Sequence, residues 1–399
     1  MSLRTTILIM SAFGVISDSI LIAFYPQFFQ IRYGLTSAIH VGAYIAAISI
    51  AVMCMLPVWA RVARRIETMH LLLYTQCAAA LLCVASAWAP TVQTYWLLSL
   101  LMFMSKASYL LMFPYLMRLE LHKDHAKVIG MLSVVIQIGA IFGAAVGGWV
   151  LQQYGPSVSI WMMAAGDFAQ MALCFYLIRS GKVVKVLRHD SQSQPVLPAK
   201  RSPHVLGALL KLSLLMLLFD FAAYLVRPFF TVHWEAVTGI HQQALTGLIF
   251  AIPGVVALVA LVVKHMVSHP SRYLDHTLFN LCIGAVGLAL QAVPSAWAII
   301  LGRTLYGWAM YQVIVKLEVT LFKVSTPEAY ARDFAITNFF QNLGVLLSSF
   351  AAGYIVAWIG IPMTFLIAAF GMLLTALIDK WTFGVDRRHT PHGASCHVA

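Results

Sequence analysis

The sequence predicts an all-α integral membrane protein whose twelve transmembrane helices form two six-helix, pseudo-symmetric halves. Three observations predict this class. Of the 399 residues, 61% are hydrophobic and only 10% are charged, whereas about a quarter of an average soluble domain is charged. The apolar residues form about a dozen long blocks, and a helix needs ~20 residues to cross ~30 Å of hydrocarbon. Sequence features of the first half also recur in the second.

The predicted spans follow the apolar blocks, and short polar loops separate them. They cover residues 5–30, 38–60, 69–90, 94–117, 127–151, 157–179, 205–230, 244–266, 273–294, 296–318, 331–357 and 361–383. Midway, the polar and basic residues 180–204 contain proline and serine, which is typical of a flexible linker. The predicted organisation is a first half at 1–179, a cytoplasmic linker at 180–204, a second half at 205–383 and a cytoplasmic tail at 384–399.

The position of the cations explains the net charge of +12. Arg61, Arg64 and Arg65 follow the second span, and Arg387 and Arg388 lie in the tail. With a cytoplasmic N-terminus, all of them fall on the cytoplasmic side, as the positive-inside rule requires. We therefore expect a multi-pass protein of the inner (cytoplasmic) membrane with both termini cytoplasmic, in contact with the lipid bilayer and binding no nucleic acid.

The residues that cofactors and metals need are not grouped in this sequence. The six cysteines lie mostly in apolar blocks without paired spacing, which predicts small core residues rather than disulfides or metal ligands. No glycine loop for a phosphate is present, which argues against ATP-driven transport by this chain. We expect no cofactor, no metal and no enzymatic activity. The alternative of a membrane enzyme acting on lipid-linked substrates would require catalytic side chains clustered at one interface.

Matches between the two halves predict an internal duplication. Small residues of the fifth span recur in the eleventh at an offset of 205 residues, as Gly139 and Gly344 show. Asp18 in the first span and Asp220 in the seventh each precede a proline by eight residues. An Ala-Ala pair closely followed by glycine occurs in both the sixth and the twelfth spans. Three matches in the same order favour duplication over chance.

The fifth span carries the pattern Gly139-x-x-x-Gly143-Ala144-x-x-Gly147-Gly148. This pattern resembles the antiporter motif of drug:proton exporters in the major facilitator superfamily, with Ala144 where that family usually has proline. Small residues on one helix face let another backbone approach closely, so a generic packing face is the alternative interpretation. The resemblance covers essentially the whole chain and implies the superfamily's fold.

The loop after the second span, from Pro57 to Glu67, resembles a degenerate form of the superfamily's cytoplasmic gate motif. Its usual glycine, aspartate and second glycine are replaced by Ala60, Arg64 and Glu67. Because the motif's aspartate faces the start of the eleventh helix, the resemblance implies a charge-swapped pair of Arg64 with Asp333. A solvated basic loop is the alternative. The predicted gate residues are Arg61, Arg64, Arg65 and Asp333.

Four ionisable side chains fall well inside predicted spans: Asp18, Lys106, Asp167 and Asp220. Each costs ~2.5–3.5 kcal/mol at the bilayer centre on insertion scales, so each needs a partner or a water-filled cavity. We expect them to line a central cavity between the halves, where such transporters bind substrate. Asp18, Asp220 and Asp167 are the predicted proton-coupling residues, with a structural tie between helices as the alternative. Lys106 is predicted either to pair with Asp18 or to attract an anionic group of the substrate.

The tenth span retains an Arg303-x-x-x-Gly307 pattern that superfamily members often carry in the fourth span. In the fourth span itself this chain has Lys106, displaced by one helical turn. Arg303 is expected near a membrane edge, in a structural role.

Aromatic side chains are frequent near these charged positions. The predicted substrate-binding residues are Lys106, Arg227, Tyr25, Phe28, Tyr109 and Tyr224. Aromatic walls suit an amphiphilic or aromatic substrate, while interfacial belts and core packing explain aromatic residues equally well. Snorkelling to the membrane surface is the alternative for Arg227.

The antiporter-like motif implies a proton-coupled secondary transporter that exports small organic molecules, and we expect it to act as a monomer. The stretch from Ser17-Asp18-Ser19 to Tyr25-Pro26-Gln27-Phe28-Phe29 is similar to bacterial exporters of carboxylate-bearing siderophores. This similarity implies an anionic siderophore as cargo. A proton-coupled importer of a siderophore or another small solute is the alternative within the same fold.

Overall fold

A computed structural model of the protein describes residues 3–112, 115–116, 125–181, 183, 203–266, 277–325 and 330–383. Every regular element in these ranges is helical. The α-helices are α1 (Leu3–Ile22), α2 (Tyr25–Tyr33), α3 (Ala38–Val62), α4 (Thr68–Ala87), α5 (Val92–Lys106), α6 (His125–Tyr154), α7 (Pro156–Arg179), α8 (Pro203–Leu225), α9 (Phe230–Thr238), α10 (Gln243–Met266), α11 (Thr277–Gln291), α12 (Ala296–Val324), α13 (Tyr330–Trp358) and α14 (Ile361–Phe383). A 3₁₀ helix, Ala107–Leu111, continues α5.

Within the described residues, ten stretches are long and apolar enough to cross a membrane. The short helix α11 and the helix α5 with its 3₁₀ continuation bring the number close to the twelve predicted spans. Some predicted bounds were wrong by several residues: α12 runs to Val324 rather than 318, and α11 ends at Gln291 rather than 294. Most of the predicted linker and the whole predicted tail, with Arg387 and Arg388, lie outside the described residues. The predicted domain boundaries therefore stay predictions.

The first and seventh spans are each divided into a long helix and a short one. The first span turns at residues 23–24, between α1 and α2, and the seventh turns at residues 226–229, between α8 and α9. Proline interrupts helical hydrogen bonding because it lacks a backbone N–H. The two prolines are not equivalent, however, since Pro26 is the second residue of α2 whereas Pro228 lies in the turn before α9.

Glycines in left-handed backbone conformation repeat between the halves. Gly34 (φ 68°) ends α2, and Gly239 (φ 67°) ends α9. Gly155 (φ 82°) precedes α7, and Gly360 (φ 100°) precedes α14. The members of each pair are 205 residues apart, and other residue types rarely adopt this conformation. The offset predicted from the fifth and eleventh spans is therefore also the offset of these turns.

Two extensive helix contacts join the halves within the described residues. In the first half, α4 packs on α7, and α1 packs on both α6 and α7; in the second, α11 packs on α12 and α14, and α8 packs on α13 and α14. Between the halves, α3 packs along α13 and α6 packs along α10. Because α3 and α10 are the second spans of their halves and α6 and α13 the fifth, the repeat relates these two contacts.

The contact of α3 with α13 is closest at the distal end of the bundle, which we define as the end opposite Leu3 and Phe383. A Cβ atom added at Gly42 would lie 2.6 Å from the carbonyl oxygen of Ser349. One added at Gly353 would lie 2.8 Å from the carbonyl oxygen of Ala38. Both distances are too short for real Cβ atoms, so glycine is required for this approach.

The contact of α6 with α10 repeats this geometry. A Cβ atom at Gly247 would collide with the carbonyl group of Ala144, and one at Gly148 with that of Gln243. All four residues of this contact stand 205 positions from their counterparts in the other contact. We call the four glycines of the two contacts, Gly42, Gly353, Gly148 and Gly247, the distal seal.

Three glycines of the antiporter-like pattern face α1. At Gly143, an added Cβ would lie 2.5 Å from the Cβ of Ser19 and 2.7 Å from the carbonyl oxygen of Ile16. Gly139 and Gly147 meet the same helix one turn away on either side. The pattern therefore brings the backbone of α6 against the helix that carries Asp18, while its fourth glycine belongs to the distal seal.

Candidate functional site

Lys106, Asp18 and Asp167 form a group of interacting charges in the first half, which we call the acid–lysine cluster. Lys106 Nζ lies 2.5 Å from Asp18 Oδ1 and 2.8 Å from Asp167 Oδ1. The side chains of Lys106 and Asp167 are 6% and 0% exposed, whereas that of Asp18 is 40% exposed. The predicted pairing of Lys106 with Asp18 is confirmed, and Asp167 is a second partner of the same ammonium group.

Three spans position the cluster: α1 carries Asp18, α5 ends at Lys106, and α7 carries Asp167. Ser17 Oγ donates a hydrogen bond to the carbonyl oxygen of Met163 at 2.8 Å and lies 3.4 Å from Asp167 Oδ1. Gly166 allows this approach, because a Cβ there would lie 2.7 Å from the Cβ of Ser17. The helical geometry of α5 changes to 3₁₀ immediately after Lys106, a change that often marks a functional hinge.

The cluster holds one cation between two carboxyl groups. With both carboxylates ionised its net charge is −1, and one bound proton makes it neutral. Asp167 Oδ2 is buried and has no hydrogen-bond partner in the described part of the chain. Charges in a site with little water interact more strongly than in bulk water. The cluster's uncompensated negative charge is therefore more costly with less water around it, and one proton on a carboxyl group would remove that charge.

Asp220 is the second-half counterpart of Asp18, but its surroundings differ. It is 7% exposed, and its Oδ2 atom has no hydrogen-bond partner within the described ranges. Gln341 and Arg227 are the neighbouring polar groups that interact with it electrostatically. No lysine takes the place of Lys106, so the two halves no longer present the same charges.

The predicted substrate-binding residues do not share one surface in this structure. Tyr25 and Phe28 are buried in the core of the first half, where Tyr25 packs edge-on to Tyr44 at 5.1 Å between ring centroids. The Tyr109 hydroxyl donates to the carbonyl oxygen of Ser11 at 3.2 Å. Their contact with substrate stays a prediction.

Arg227 and Tyr224 lie together at the end of α8. The Arg227 guanidinium carbon stands 4.1 Å from the centroid of the Tyr224 ring. Arg227 is exposed and Tyr224 is partly buried. This stacking is a cation–π contact, and it orients the guanidinium group without neutralising it.

The predicted gate residues are separated. Arg61, Arg64 and Arg65 are exposed, whereas Asp333 is buried and accepts a hydrogen bond from Ser325 Oγ at 2.7 Å. Within the described ranges no ion pair joins Arg64 to Asp333. The implied charge-swapped pair is thus not formed in this conformation.

A polar bridge between the halves lies near the distal seal. Gln27 Nε2 of α2 donates to Thr231 Oγ1 at 3.0 Å and to Glu235 Oε1 at 3.2 Å, both on α9. Thr231 Oγ1 donates in turn to the carbonyl oxygen of Ala23 at 2.8 Å. Gln27 and Thr231 are buried, so these hydrogen bonds must break before the halves separate at this end.

Replacing Gln27 by alanine is expected to open the distal end more often. Two hydrogen bonds, worth about 1 kcal/mol each, would be lost from the closed state. Labelling of an Ala23→Cys reporter by a polar thiol reagent should become faster by about thirtyfold, in a background with the other cysteines replaced by serine. The exposed Gln30, on the same helix, supplies the control: a Gln30→Ala variant that labels as fast as Gln27→Ala would contradict the bridge.

Solved structures share this arrangement of helices. The chain superposes on the nucleoside transporter NupG with a TM-score of 0.72 and 16% identity, covering 96% of this chain and 99% of that one. On a D-xylose-proton symporter the TM-score is 0.74 with 14% identity, covering 95% and 97%. The family model described as Major Facilitator Superfamily matches residues 121–282. The chain therefore shares the fold of these transporters and resembles the superfamily in sequence over residues 121–282.

Relatives in sequence include two bacterial proteins named "Multidrug resistance protein MdtG". The protein from Yersinia enterocolitica is 23% identical over 259 residues, which are 63% of this chain and 61% of that one. The protein from Serratia proteamaculans is 24% identical over 268 residues, which are 66% and 63%. The chain thus spans about three fifths of the length of these curated relatives.

Two features of the chain were not expected from its sequence. Arg303 is buried, with 3% of its side chain exposed, and Gln27 bridges the halves through Thr231 and Glu235. The Arg-x-x-x-Gly pattern of the tenth span was the sequence signal for Arg303. The signal for Gln27 was a glutamine within an apolar span, because a buried amide needs hydrogen-bond partners. The sequence alone does not identify those partners.

Proposed function

We propose that the protein is a proton-coupled secondary transporter that exports small organic molecules across the inner membrane. The acid–lysine cluster is the observation that carries this proposal. It places two carboxyl groups and one ammonium group inside a membrane-spanning bundle, where an uncompensated charge is expensive. A proton removes that charge, so the protonation of the cluster and its exposure to water depend on each other.

Export is supported by the glycines of the antiporter-like pattern and by the name of the relatives. The glycines bring α6 into backbone contact with α1, so a tilt of α6 moves Asp18 as well. The same helix continues into the distal seal through Gly148. We therefore propose that opening or closing of the seal is mechanically linked to the position of Asp18, which is the requirement for coupling a proton to a cargo.

The proposed orientation follows from the exposed cations. Arg61 lies in the last turn of α3, and Arg64 and Arg65 follow it, at the end opposite the distal seal. The positive-inside rule assigns such residues to the cytoplasm. In this orientation both termini are cytoplasmic and the distal seal closes the periplasmic side. The cargo, small organic molecules and in the finer proposal an anionic siderophore, would then enter from the cytoplasm.

An Asp18→Asn variant is expected to lose substrate-driven proton movement. In liposomes with an imposed pH gradient and an internal pH-sensitive dye, cargo transport by the wild type should dissipate the gradient. Asn keeps the size of Asp18 and its hydrogen bond from Lys106 but cannot exchange a proton, so proton flux should fall at least tenfold, whereas Asp18→Glu should keep part of it. The panel of cargoes includes a carboxylate-bearing siderophore, and the assay is run with the gradient in both directions.

Movement of cargo without proton flux in the wild type would refute the coupling. Flux in the direction of uptake would refute export. If every cargo except the siderophore is moved, the siderophore proposal alone is refuted.

A further inference from the structure

We propose that Arg303 and Arg227 form an anion-binding site for the substrate in the second half, and that the cargo is an aromatic or apolar molecule bearing a carboxylate. This inference rests on the proposed transport function and assigns the charge-recognising role to the second half. Lys106, the expected reader of an anionic substrate, is already held by Asp18 and Asp167. An anion at Lys106 would also meet two carboxyl groups of its own sign.

Arg303 is a buried cation whose contacts are aromatic rings and a carbonyl group. Its guanidinium carbon lies 4.0 Å from the centroid of the Phe230 ring and 5.2 Å from that of Phe250. Nη2 donates to the carbonyl oxygen of Phe250. The Nε atom is buried and has no hydrogen-bond partner in the described structure. The N–H group at Nε is therefore a free donor beside two aromatic faces, and an oxyanion is its strongest acceptor.

Within the described ranges, no carboxylate forms an ion pair with Arg303. Lys106 is the buried cation that has such partners there. The described carboxylates of the second half besides Asp220 are Glu235, Glu318, Asp333 and Asp379. Glu235 is bound to Gln27, and Glu318 lies fifteen residues further along α12, which is about 22 Å at 1.5 Å per residue. A buried guanidinium group without an anionic partner is costly, and a bound substrate anion would supply that partner.

Arg227 acts on the same region from α8. The Phe230 ring, on which the Arg303 guanidinium group stacks, is only three residues from Arg227. The two arginines and Tyr306 interact electrostatically. Tyr306 is itself fixed by its hydroxyl group, which donates to the carbonyl oxygen of Ala223 at 2.8 Å. With Asp220 as the nearby carboxylate, the group has a net charge of +1 when all three are ionised. One carboxylate of a substrate neutralises it, just as one proton neutralises the acid–lysine cluster.

The aromatic surroundings limit the class of substrate further. Phe230 and Phe250 approach each other at 6.0 Å between centroids, and Tyr224 stacks on Arg227. A carboxylate carried on an aromatic or apolar body fits both the guanidinium groups and these faces. A strongly hydrated anion such as phosphate would leave the rings without a partner.

Equilibrium binding to purified protein, without any gradient, tests this site. The probes are benzoate, salicylate and 2,3-dihydroxybenzoate, each compared with its neutral amide. The wild type should bind at least one of these carboxylates ten times more tightly than its amide. Arg303→Gln should reduce that ratio to about one without weakening the amide, Arg303→Lys should restore part of it, and Arg227→Gln should reduce it partially. Arg179→Gln, an exposed arginine in the last turn of α7, is the control and should keep the wild-type ratio.

Equal affinity of the wild type for every acid and its amide would overturn the site, as would an unchanged ratio in Arg303→Gln. If Arg303→Gln does not fold, Arg303→Lys and Arg227→Gln provide the test. A wild-type ratio of carboxylate affinity to amide affinity in both variants would refute the proposal. Because binding is measured without a proton gradient, failure here is distinct from failure of proton coupling, which the Asp18→Asn flux assay reports.

Discussion

Replacing Lys106 by methionine is expected to abolish proton-coupled transport and to destabilise the folded protein. The variant leaves Asp167, which is fully buried, without its cation. Removing one partner of a buried ion pair typically costs about 3–5 kcal/mol because the other charge stays buried. We expect at least a hundredfold loss of proton flux in liposomes and a clearly lower thermal unfolding temperature in detergent.

A double variant, Lys106→Met with Asp167→Asn, separates the two effects. Removing both buried charges should restore most of the thermal stability, but the proton flux should stay lost because the cluster no longer holds the charge that a proton neutralises. Lys211→Ala is the control, since Lys211 is exposed on α8. Normal proton flux in the double variant would show that the cluster is a structural tie and not a proton site.

A Gly148→Val variant is expected to prevent the closed state of the distal end. The added side chain meets the backbone of Gln243, which cannot move aside as a flexible side chain can. Transport should fall below a tenth of the wild-type rate, because alternating access requires both end states. The polar thiol reagent should label the Ala23→Cys reporter rapidly in the Gly148→Val variant, whereas the closed distal end of the otherwise wild-type protein should protect it.

Gly207 offers the matched control, because a Cβ atom added there meets nothing within 4 Å. Gly207→Val should transport and label as the wild type does. The pseudo-symmetric variant Gly353→Val is expected to behave as Gly148→Val, since both glycines face a backbone carbonyl across the halves. Wild-type protection of the reporter in Gly148→Val would refute the seal.

The sequence predicted the helical membrane fold and the repeat well because both depend on patterns that many residues share. A long apolar block predicts a membrane span without any knowledge of the helices it packs against. The offset of 205 residues holds for Gly155 and Gly360 as it does for Gly139 and Gly344. The first and seventh spans were predicted as single helices, and their turns at 23–24 and 226–229 were not located, because a local turn leaves the apolar pattern of a span unchanged.

The candidate sites depended on pairings that a sequence does not encode locally. Asp167 was identified as an ionisable residue inside a span, yet its contact with Lys106 arises from the packing of α7 beside α5 and α1. The burial of Arg303 against Phe230 and Phe250 was not predicted, because the sequence gives its position along α12 but not the direction of its side chain. The residue types and depths were predictable, and the partners were set by helix rotation and tilt.

The two contacts of the distal seal are related by the internal repeat. Gly42 meets Ser349 as Gly247 meets Ala144, and each second-half residue is its first-half equivalent shifted by 205 positions. In a symmetric homodimer, position i of one copy contacts position j of the other, and j contacts i in return. If 205 is subtracted from each second-half number, Ser349 becomes position 144 and Gly247 becomes position 42. Both contacts then join position 42 to position 144, as the rule requires. The interface between the halves therefore has the reciprocal pattern of contacts that a symmetric dimer of the repeat would have.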